Sequence, residues 1–124
     1  LQGVIESDGE LDGGEFNLKL AQAIRDAGPW GQGFMEPIFD GKFEVLDWRV
    51  VGEKHLKMEL LAADADKSIS AIAFNAPTER IRESNGFIHA AYRLDVNELR
   101  QRKSAQLIVE YFQPLSAVSD NRQH

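Results

Sequence analysis

The order of the predicted secondary-structure elements constrains the fold of this chain more than any single motif does. Five segments show the apolar–polar alternation, or the β-branched and aromatic content, that is typical of strands. Residues 77–83 predict a short helix, with Pro77 in its first turn and Gly86 beyond its end. The five predicted strands are 43–51, 55–62, 69–75, 87–96 and 104–112.

Three strands, a short helix and two further strands within about 75 residues match the order of an OB-fold barrel. An SH3-like barrel is the main alternative, but it does not usually carry a helix at this place. The predicted fold class is therefore mainly β, a five-stranded OB-fold barrel with a short helix between strands 3 and 4.

Alternation along the strands predicts which side chains form the core. In the second strand the even-numbered residues from Leu56 to Ala62 are apolar, and the odd-numbered ones are mostly polar. In the fourth strand Tyr92 belongs to the apolar face, which places Arg93 on the opposite face. At least three of the four aromatic residues in the later strands are expected in the core, namely Phe74, Tyr92, Tyr111 and Phe112.

A helix and an ordered loop are predicted ahead of the barrel. Apolar residues recur at helical spacing from Phe16 to Ala27, so a helix is expected over about residues 17–27, with Asn17 as its N-cap. Gly28 is expected to end it in a left-handed conformation before Pro29. The loop that follows is rich in proline, glycine and aromatic residues, and three aromatic side chains are expected to pack it onto the barrel: Trp30, Phe34 and Phe39.

The chain divides into three predicted parts: a connecting segment over residues 1–40, an OB-fold domain over 41–115 and a flexible tail over 116–124. Because it opens with Leu1 rather than Met, we expect a piece of a longer protein. No apolar run approaches the roughly 18–20 residues that span a bilayer, so no membrane association is expected. The absence of cysteine excludes disulfides and thiolate metal sites and favours a reducing cytoplasm.

The net charge of −6 is unevenly distributed. Residues 1–39 hold seven acidic and two basic side chains, whereas residues 40–115 hold twelve acidic and eleven basic ones. The acidity alone argues against nucleic-acid binding. Since the predicted barrel is nearly neutral and its bases are clustered, the distribution weakens that argument.

Several uncommon stretches occur in a fixed order along the chain. They are Asp26-Ala27-Gly28-Pro29-Trp30-Gly31-Gln32-Gly33-Phe34 with Glu36-Pro37-Ile38-Phe39, Val51-Gly52-Glu53-Lys54-His55-Leu56-Lys57, Ala71-Ile72-Ala73-Phe74-Asn75 and Tyr92-Arg93-Leu94-Asp95-Val96-Asn97-Glu98. Together they resemble the OB domain of the RecJ family of bacterial exonucleases and the segment that leads into it. The resemblance covers roughly residues 7–113.

This resemblance implies a parent enzyme that digests single-stranded DNA from the 5′ end during DNA repair and recombination. In that family Mn²⁺ or Mg²⁺ is held by aspartate and histidine clusters in an upstream catalytic core. His55, His89 and His124 are far apart here and no Asp-His-His run occurs, so we expect no catalytic residue, metal or cofactor in this chain. The implied partners are single-stranded DNA, the rest of the parent chain and, as a candidate, single-strand-binding protein.

Two basic clusters fall where an OB fold binds its ligand, in the loops that join strands 1–2 and strands 4–5. A single-strand site needs cations for the phosphates and flat surfaces for the bases. Ordinary solvated surface charge is the competing interpretation, and Glu53 and Glu98 could pair with the bases. Trp48 is a candidate for base stacking. The predicted DNA-binding residues are Lys54, His55, Lys57, Arg93, Arg100, Arg102 and Lys103.

Two other functions stay open at this point. The same basic groove could bind an acidic peptide tail, such as that of single-strand-binding protein, which would make the chain a protein-interaction module. Alternatively, residues 1–40 could serve only to attach the barrel to a catalytic core.

Overall fold

The computed structural model describes residues 7–31 and 35–115. Five strands close into a barrel in the order β1-β2-β3-β5-β4, with β4 returning to β1. Only the β3–β5 pair is parallel. The predicted mainly-β, five-stranded OB-fold barrel with a short helix between the third and fourth strands is therefore confirmed. The elements are a 3₁₀ turn Gly13–Glu15, α1 Leu18–Ala27, β1 Phe39–Val51, β2 His55–Ala62, β3 Ile69–Ala73, α2 Thr78–Arg82, β4 Phe87–Leu99 and β5 Arg102–Pro114.

The β4–β5 connection is much shorter than the gap between the predicted strands 87–96 and 104–112. The turn consists of Arg100 and Gln101 alone, and residues on both sides of it belong to the strands. Both turn residues have positive φ, 54° and 66°. Left-handed backbone at both positions is typical of a type I′ hairpin turn, whose twist matches that of the flanking strands. Because neither residue is glycine or asparagine, the sequence lacked the usual signal for so short a turn.

The inner faces of the strands form the core, as the alternation predicted. On β2 the even-numbered residues from Leu56 to Ala62 are all buried, and on β4 Tyr92 is completely buried. The expectation for the aromatic residues was wrong, since only Tyr92 and Phe112 are buried. Tyr111 is half-buried, and Phe74 is 55% exposed. Phe74 directly follows the inward-facing Ala73, so alternation directs its side chain outward.

The lead-in segment, residues 7–31 and 35–38, packs against the barrel. Asn17 caps α1 as predicted, because its Oδ1 accepts a hydrogen bond from the Leu20 N–H at 2.9 Å. The Phe16 ring meets Phe43 and Tyr92 at centroid distances of 5.8 and 5.9 Å. The helix itself contacts β4 and β5. Its Ala21 is completely buried, so this segment contributes to the core.

The end of α1 differs from the prediction in the backbone conformation of Gly28. Gly28 has φ −71° and an extended conformation rather than a left-handed one. The reason is Pro29, since the residue before a proline is confined to extended conformations. Trp30 is half-buried, and its Nε1–H donates to the Ile24 carbonyl at 3.2 Å. Phe39 packs against the core as the first residue of β1, and Phe34 lies outside the described residues.

Two predicted domain boundaries lie close to the ends of the barrel strands. β1 begins at Phe39, so the strand starts inside the predicted connecting segment, and the division at residues 40 and 115 stays a prediction. The predicted tail, residues 116–124, lies outside the described residues. Within the described ranges, no helix is long and apolar enough to cross a membrane.

Candidate nucleic-acid interface

The turn between β1 and β2 carries the first predicted basic cluster. Lys54 is exposed, and its carbonyl accepts a hydrogen bond from the Ala76 N–H at 2.9 Å. His55 is half-buried, and its Nδ1 accepts from the Asn75 N–H at 3.2 Å. A neutral His55 ring therefore carries its proton on Nε2. These two bonds hold Lys54 and His55 against the chain that leaves β3.

Lys57 lies on the outer face of the barrel in a row that crosses several strands. It is opposite Arg49 on β1 and Ile72 on β3, and Ile72 is opposite Ile108 on β5. Both isoleucines are half-buried and alternate with buried neighbours, so they face outward. The row thus consists of two adjacent cations, two isoleucines and, opposite Ile108 on β4, Arg93. Arg49 was not predicted, although the register of the 52–54 turn places it opposite Lys57.

Carboxylates occupy the next row of the same face. Asp47 on β1 lies opposite Glu59 on β2. Glu59 accepts a hydrogen bond from the Ser68 hydroxyl at 2.8 Å, and Asp47 accepts one from the Trp48 N–H. These charges reduce the attraction of the Arg49–Lys57 pair for anions, so an anionic ligand is favoured on the cationic row only.

The second predicted cluster lies on the β4–β5 hairpin. Arg100, Arg102 and Lys103 are all exposed, and none of them forms an ion pair with any residue in the described ranges. Lys103 precedes Ile108 by five residues on β5, which corresponds to roughly 17 Å of strand at about 3.3 Å per residue. The structure therefore does not bring the two clusters together. They flank the outer face of β3 and β5 at its two ends.

Arg93 is placed differently from the other six predicted residues. Its Nε donates to Glu110 at 2.6 Å, and its Nη1 donates to Glu36 of the lead-in segment at 3.2 Å. Burial opposes the charge of the guanidinium, but the bonds and charges of these two carboxylates outweigh burial and raise the pKa of Arg93. Arg93 is on the outer face as predicted, with two of its donors already bound to acidic side chains.

Aromatic surface lies beside the β1–β2 turn, at residues that the sequence did not single out for binding. The exposed Phe74 ring meets the His55 ring edge-on, with centroids 5.3 Å apart and planes at 75°. Nearby, the Arg80 guanidinium lies 5.1 Å from the centroid of the Tyr111 ring. Trp48, the residue predicted as a stacking candidate, is half-buried, and the Arg82 guanidinium lies over its ring at 5.5 Å.

Comparison with known protein families identifies this architecture. The family model described as the RecJ OB domain matches residues 7–111 of the chain. The chain belongs to the RecJ OB-domain family. The resemblance found in the sequence is thereby confirmed, over nearly the same residues.

Relatives and a solved structure agree with RecJ membership. The chain is 47% identical over 118 residues to the single-stranded-DNA-specific exonuclease RecJ of Haemophilus influenzae, and 45% identical over 120 residues to that of Dickeya dadantii. It spans about a fifth of the length of these relatives, 20% in each case, and 93% of the chain is covered. RecJ of Thermus thermophilus, crystallised in complex with Mg²⁺, has the same fold over 91% of this chain and 17% of its own, with a TM-score of 0.69 at 16% identity.

The RecJ relationship raises the question of a metal site. Across residues 7–31 and 35–115, no group of three or more histidine, cysteine, aspartate or glutamate side chains is arranged to hold a metal ion. The acidic residues described above are instead engaged with serine, backbone and arginine donors. The residues of this part of the chain therefore do not fit a metal centre, and no chemical step is assigned to them.

Proposed function

We propose that this chain is the part of a RecJ-type, 5′-to-3′ single-stranded-DNA exonuclease that holds the single strand. One observation carries the proposal beyond family membership. The outer face of β2, β3 and β5 has exposed or half-buried cations at both ends, free of ion pairs within the described residues, and the apolar side chains of Ile72 and Ile108 between them.

Such an arrangement suits a flexible polyanion. Cations that track a strand bind its phosphates without regard to sequence, and apolar or aromatic side chains between them contact the bases. A separation of roughly 17 Å along the strands requires a ligand of several nucleotides to reach both clusters. OB folds that bind single strands commonly contact about 4–16 nucleotides, so the dimensions agree.

The acidic-peptide alternative fits the same cations less well. A short peptide tail needs its charge partners in one pocket, whereas the predicted cations lie in two separate groups at opposite ends of the face. The binding of single-strand-binding protein therefore stays a prediction. A direct titration of the chain with an acidic, aromatic-ended peptide measures it.

In the same proposal, hydrolysis belongs to a region of the parent protein outside this chain. That region would hold Mn²⁺ or Mg²⁺, and the enzyme would act in the cytoplasm during DNA repair and recombination. The absence of cysteine from the chain agrees with a reducing compartment. The lead-in segment would connect the barrel to this catalytic region.

The proposal is tested by titrating the 124-residue chain with a fluorescently labelled (dT)12 strand at 50 and 300 mM NaCl and following anisotropy. We expect Lys54→Ala and Arg102→Ala each to weaken binding by about 3- to 10-fold at the lower salt concentration, because each removes one phosphate contact. Each should also reduce the slope of log affinity against log salt by about 0.7.

Two matched variants control this experiment. Lys19→Ala removes an exposed lysine of α1, outside both clusters, and should leave the affinity unchanged. Arg102→Lys keeps the charge and should retain most of the binding. Absence of binding by the unaltered chain at 50 mM NaCl, or an equal loss in Lys19→Ala, would contradict the proposal.

A further inference from the structure

Phe74 has the placement of a binding residue rather than a core residue. It lies one position beyond β3, between the His55 ring and the connection to α2, and 55% of its surface is exposed. A large apolar ring at the surface is not held there by burial. The ring is in edge-on contact with His55, and His55 accepts a hydrogen bond from the Asn75 N–H.

A shallow pocket of about 290 Å³ opens beside this ring. Phe74 and Tyr111 supply aromatic surface to it, Asn75 supplies an amide, and Arg80 supplies a cation. The Nη1 of Arg80 donates to the Phe112 carbonyl at 3.3 Å, and its guanidinium lies against Tyr111. The pocket has room for one flat heterocycle, with hydrogen-bonding groups at its edge.

The electrostatics of this pocket permit an anionic strand to approach. Glu110 is its only acidic lining residue within the described ranges, and that carboxylate is already paired with Arg93. On the other side, the backbone bond from Ala76 holds Lys54 against the same connection. A strand with phosphates near Lys54 therefore meets little uncompensated negative charge at the pocket lining.

We propose that the Phe74 pocket receives one unstacked nucleobase of the bound single strand, with the base stacked on the Phe74 ring. This inference rests on the proposed single-strand binding and adds a base contact to the phosphate contacts argued above. Stacking tolerates any base because every base has a flat face. The pocket thus supplies affinity for single-stranded regions without sequence preference, since paired bases in a duplex cannot enter it.

The test compares (dT)12 with a strand of the same length that contains only abasic residues, using the 124-residue chain at 50 mM NaCl. The unaltered chain should bind the abasic strand about 10-fold more weakly, because stacking on the aromatic ring is lost. In Phe74→Ala this preference should fall to about 2- to 3-fold, because contacts of the bases with Ile72 and Ile108 remain. Phe74→Trp should restore the preference for (dT)12.

A matched control is Phe87→Ala, which removes a phenylalanine of similar exposure, 49%, that lies opposite Glu44 at the start of β4. This variant should keep the 10-fold preference. Urea denaturation of both alanine variants checks that the barrel is folded. An acidic, aromatic-ended peptide titrated in parallel reports on a protein ligand at the same pocket.

The outcomes separate this inference from the proposal on which it rests. If Phe74→Ala keeps the preference while Arg102→Ala still weakens (dT)12 binding, the base pocket is wrong and single-strand binding stands. If Phe74→Ala weakens binding of the acidic peptide but leaves the affinity for both DNA strands unchanged, the pocket binds a protein ligand and the inference is overturned. If the unaltered chain binds neither strand, both proposals fail.

Discussion

The two sides of the barrel use the same kinds of charged residue for different purposes. Next to the lead-in segment, Arg25 is paired with Asp95 at 2.9 Å. Arg93, which lies opposite Ile108 at the border with the proposed binding face, is paired with Glu36 and Glu110. On the side formed by the β1–β2 turn and the β4–β5 hairpin, cations such as Lys54 and Arg102 form no ion pair with a residue of the described ranges.

This difference shows that a basic residue in a loop or strand has no fixed role. Arg25 and Arg93 join segments that are 70 and 57 residues apart, and their charge is balanced within the chain. Unpaired cations such as Arg102 contribute little to folding and keep their charge for an external anion. We therefore expect substitutions next to the lead-in segment, at residues such as Arg93, to lower stability. Substitutions of unpaired cations such as Arg102 should instead lower the affinity for single-stranded DNA.

The largest effect on stability is expected when the Phe16 ring of the lead-in segment is removed from the core. Phe16→Ala should lower the free energy of unfolding by about 2–3 kcal/mol, because the ring packs on Phe43 and Tyr92. Urea denaturation measures this. The affinity for (dT)12 should stay within twofold. A folded Phe16→Ala chain with more than fivefold weaker binding would show that the lead-in side contacts the strand.

A smaller effect on stability is expected from the ion pairs that Arg93 forms with Glu36 and Glu110. Arg93→Ala should lower the free energy of unfolding by about 1–2 kcal/mol, since it leaves Glu36 and Glu110 without their partner on a partly buried surface. Arg102→Ala serves as the matched comparison and should change stability by less than about 0.5 kcal/mol. Equal losses of DNA affinity in both variants would make Arg93 a strand contact after all.

Removal of the Tyr92 hydroxyl is expected to change stability in the opposite direction. It is buried and has no hydrogen-bond partner among the described residues. Burial, and then the charges of Asp40, Glu10 and Glu15, raise its pKa, so the group stays neutral in the ordinary pH range. Tyr92→Phe should leave the stability unchanged or raise it by about 1 kcal/mol. A loss of similar size in urea denaturation would reveal a partner for the hydroxyl.

The smallest effect is expected from the Asp40 carboxylate, which also fastens the lead-in segment. The hydrogen bond from the Ser7 hydroxyl, followed by the bond and charge of His89 at 2.7 Å, outweighs burial and lowers the pKa of Asp40. A carboxyl whose pKa is lowered on folding stabilises the protein above the unfolded value of 3.8, and the contribution is lost as the pH falls through the folded value.

Asp40→Asn should therefore be less stable than the unaltered chain at pH 6, by less than about 1 kcal/mol. The difference should shrink steadily below pH 4. Urea denaturation of both chains from pH 6 to pH 2.5 measures it. A difference that is constant over this range would show that the charge of Asp40 contributes nothing.

The sequence was sufficient for those features that depend on local periodicity. Alternation on β2 and β4 predicted the buried face, and the cap of α1 followed from Asn17. Phe74 was predicted as a core candidate because it is aromatic. Alternation from the inward-facing Ala73 directs its side chain outward instead. The pairing of Arg93 with Glu36 could not be predicted, since it depends on how a loop 57 residues away lies over β4.

The hairpin between β4 and β5 illustrates a different limit. Its two-residue turn requires left-handed backbone at Arg100 and Gln101, and neither residue type favours it. Pairing along the whole length of β4 and β5 fixes this geometry, and no short window of sequence contains that information. As a result the basic residues 102 and 103 were predicted in a loop and lie on a strand.

The acidic lead-in segment has a consequence for the path that a nucleic acid can take across this domain. Between residues 7 and 39 there are six acidic and two basic side chains. The described part of the lead-in segment, residues 7–31 and 35–38, contacts β1, β4 and β5. In the proposed complex with a single strand, we expect these carboxylates to repel phosphates, so that the strand follows the surface that carries Lys54, Lys57 and Arg102. The acidic lead-in segment would then restrict a bound strand to one path across the domain, although the chain as a whole carries a net charge of −6.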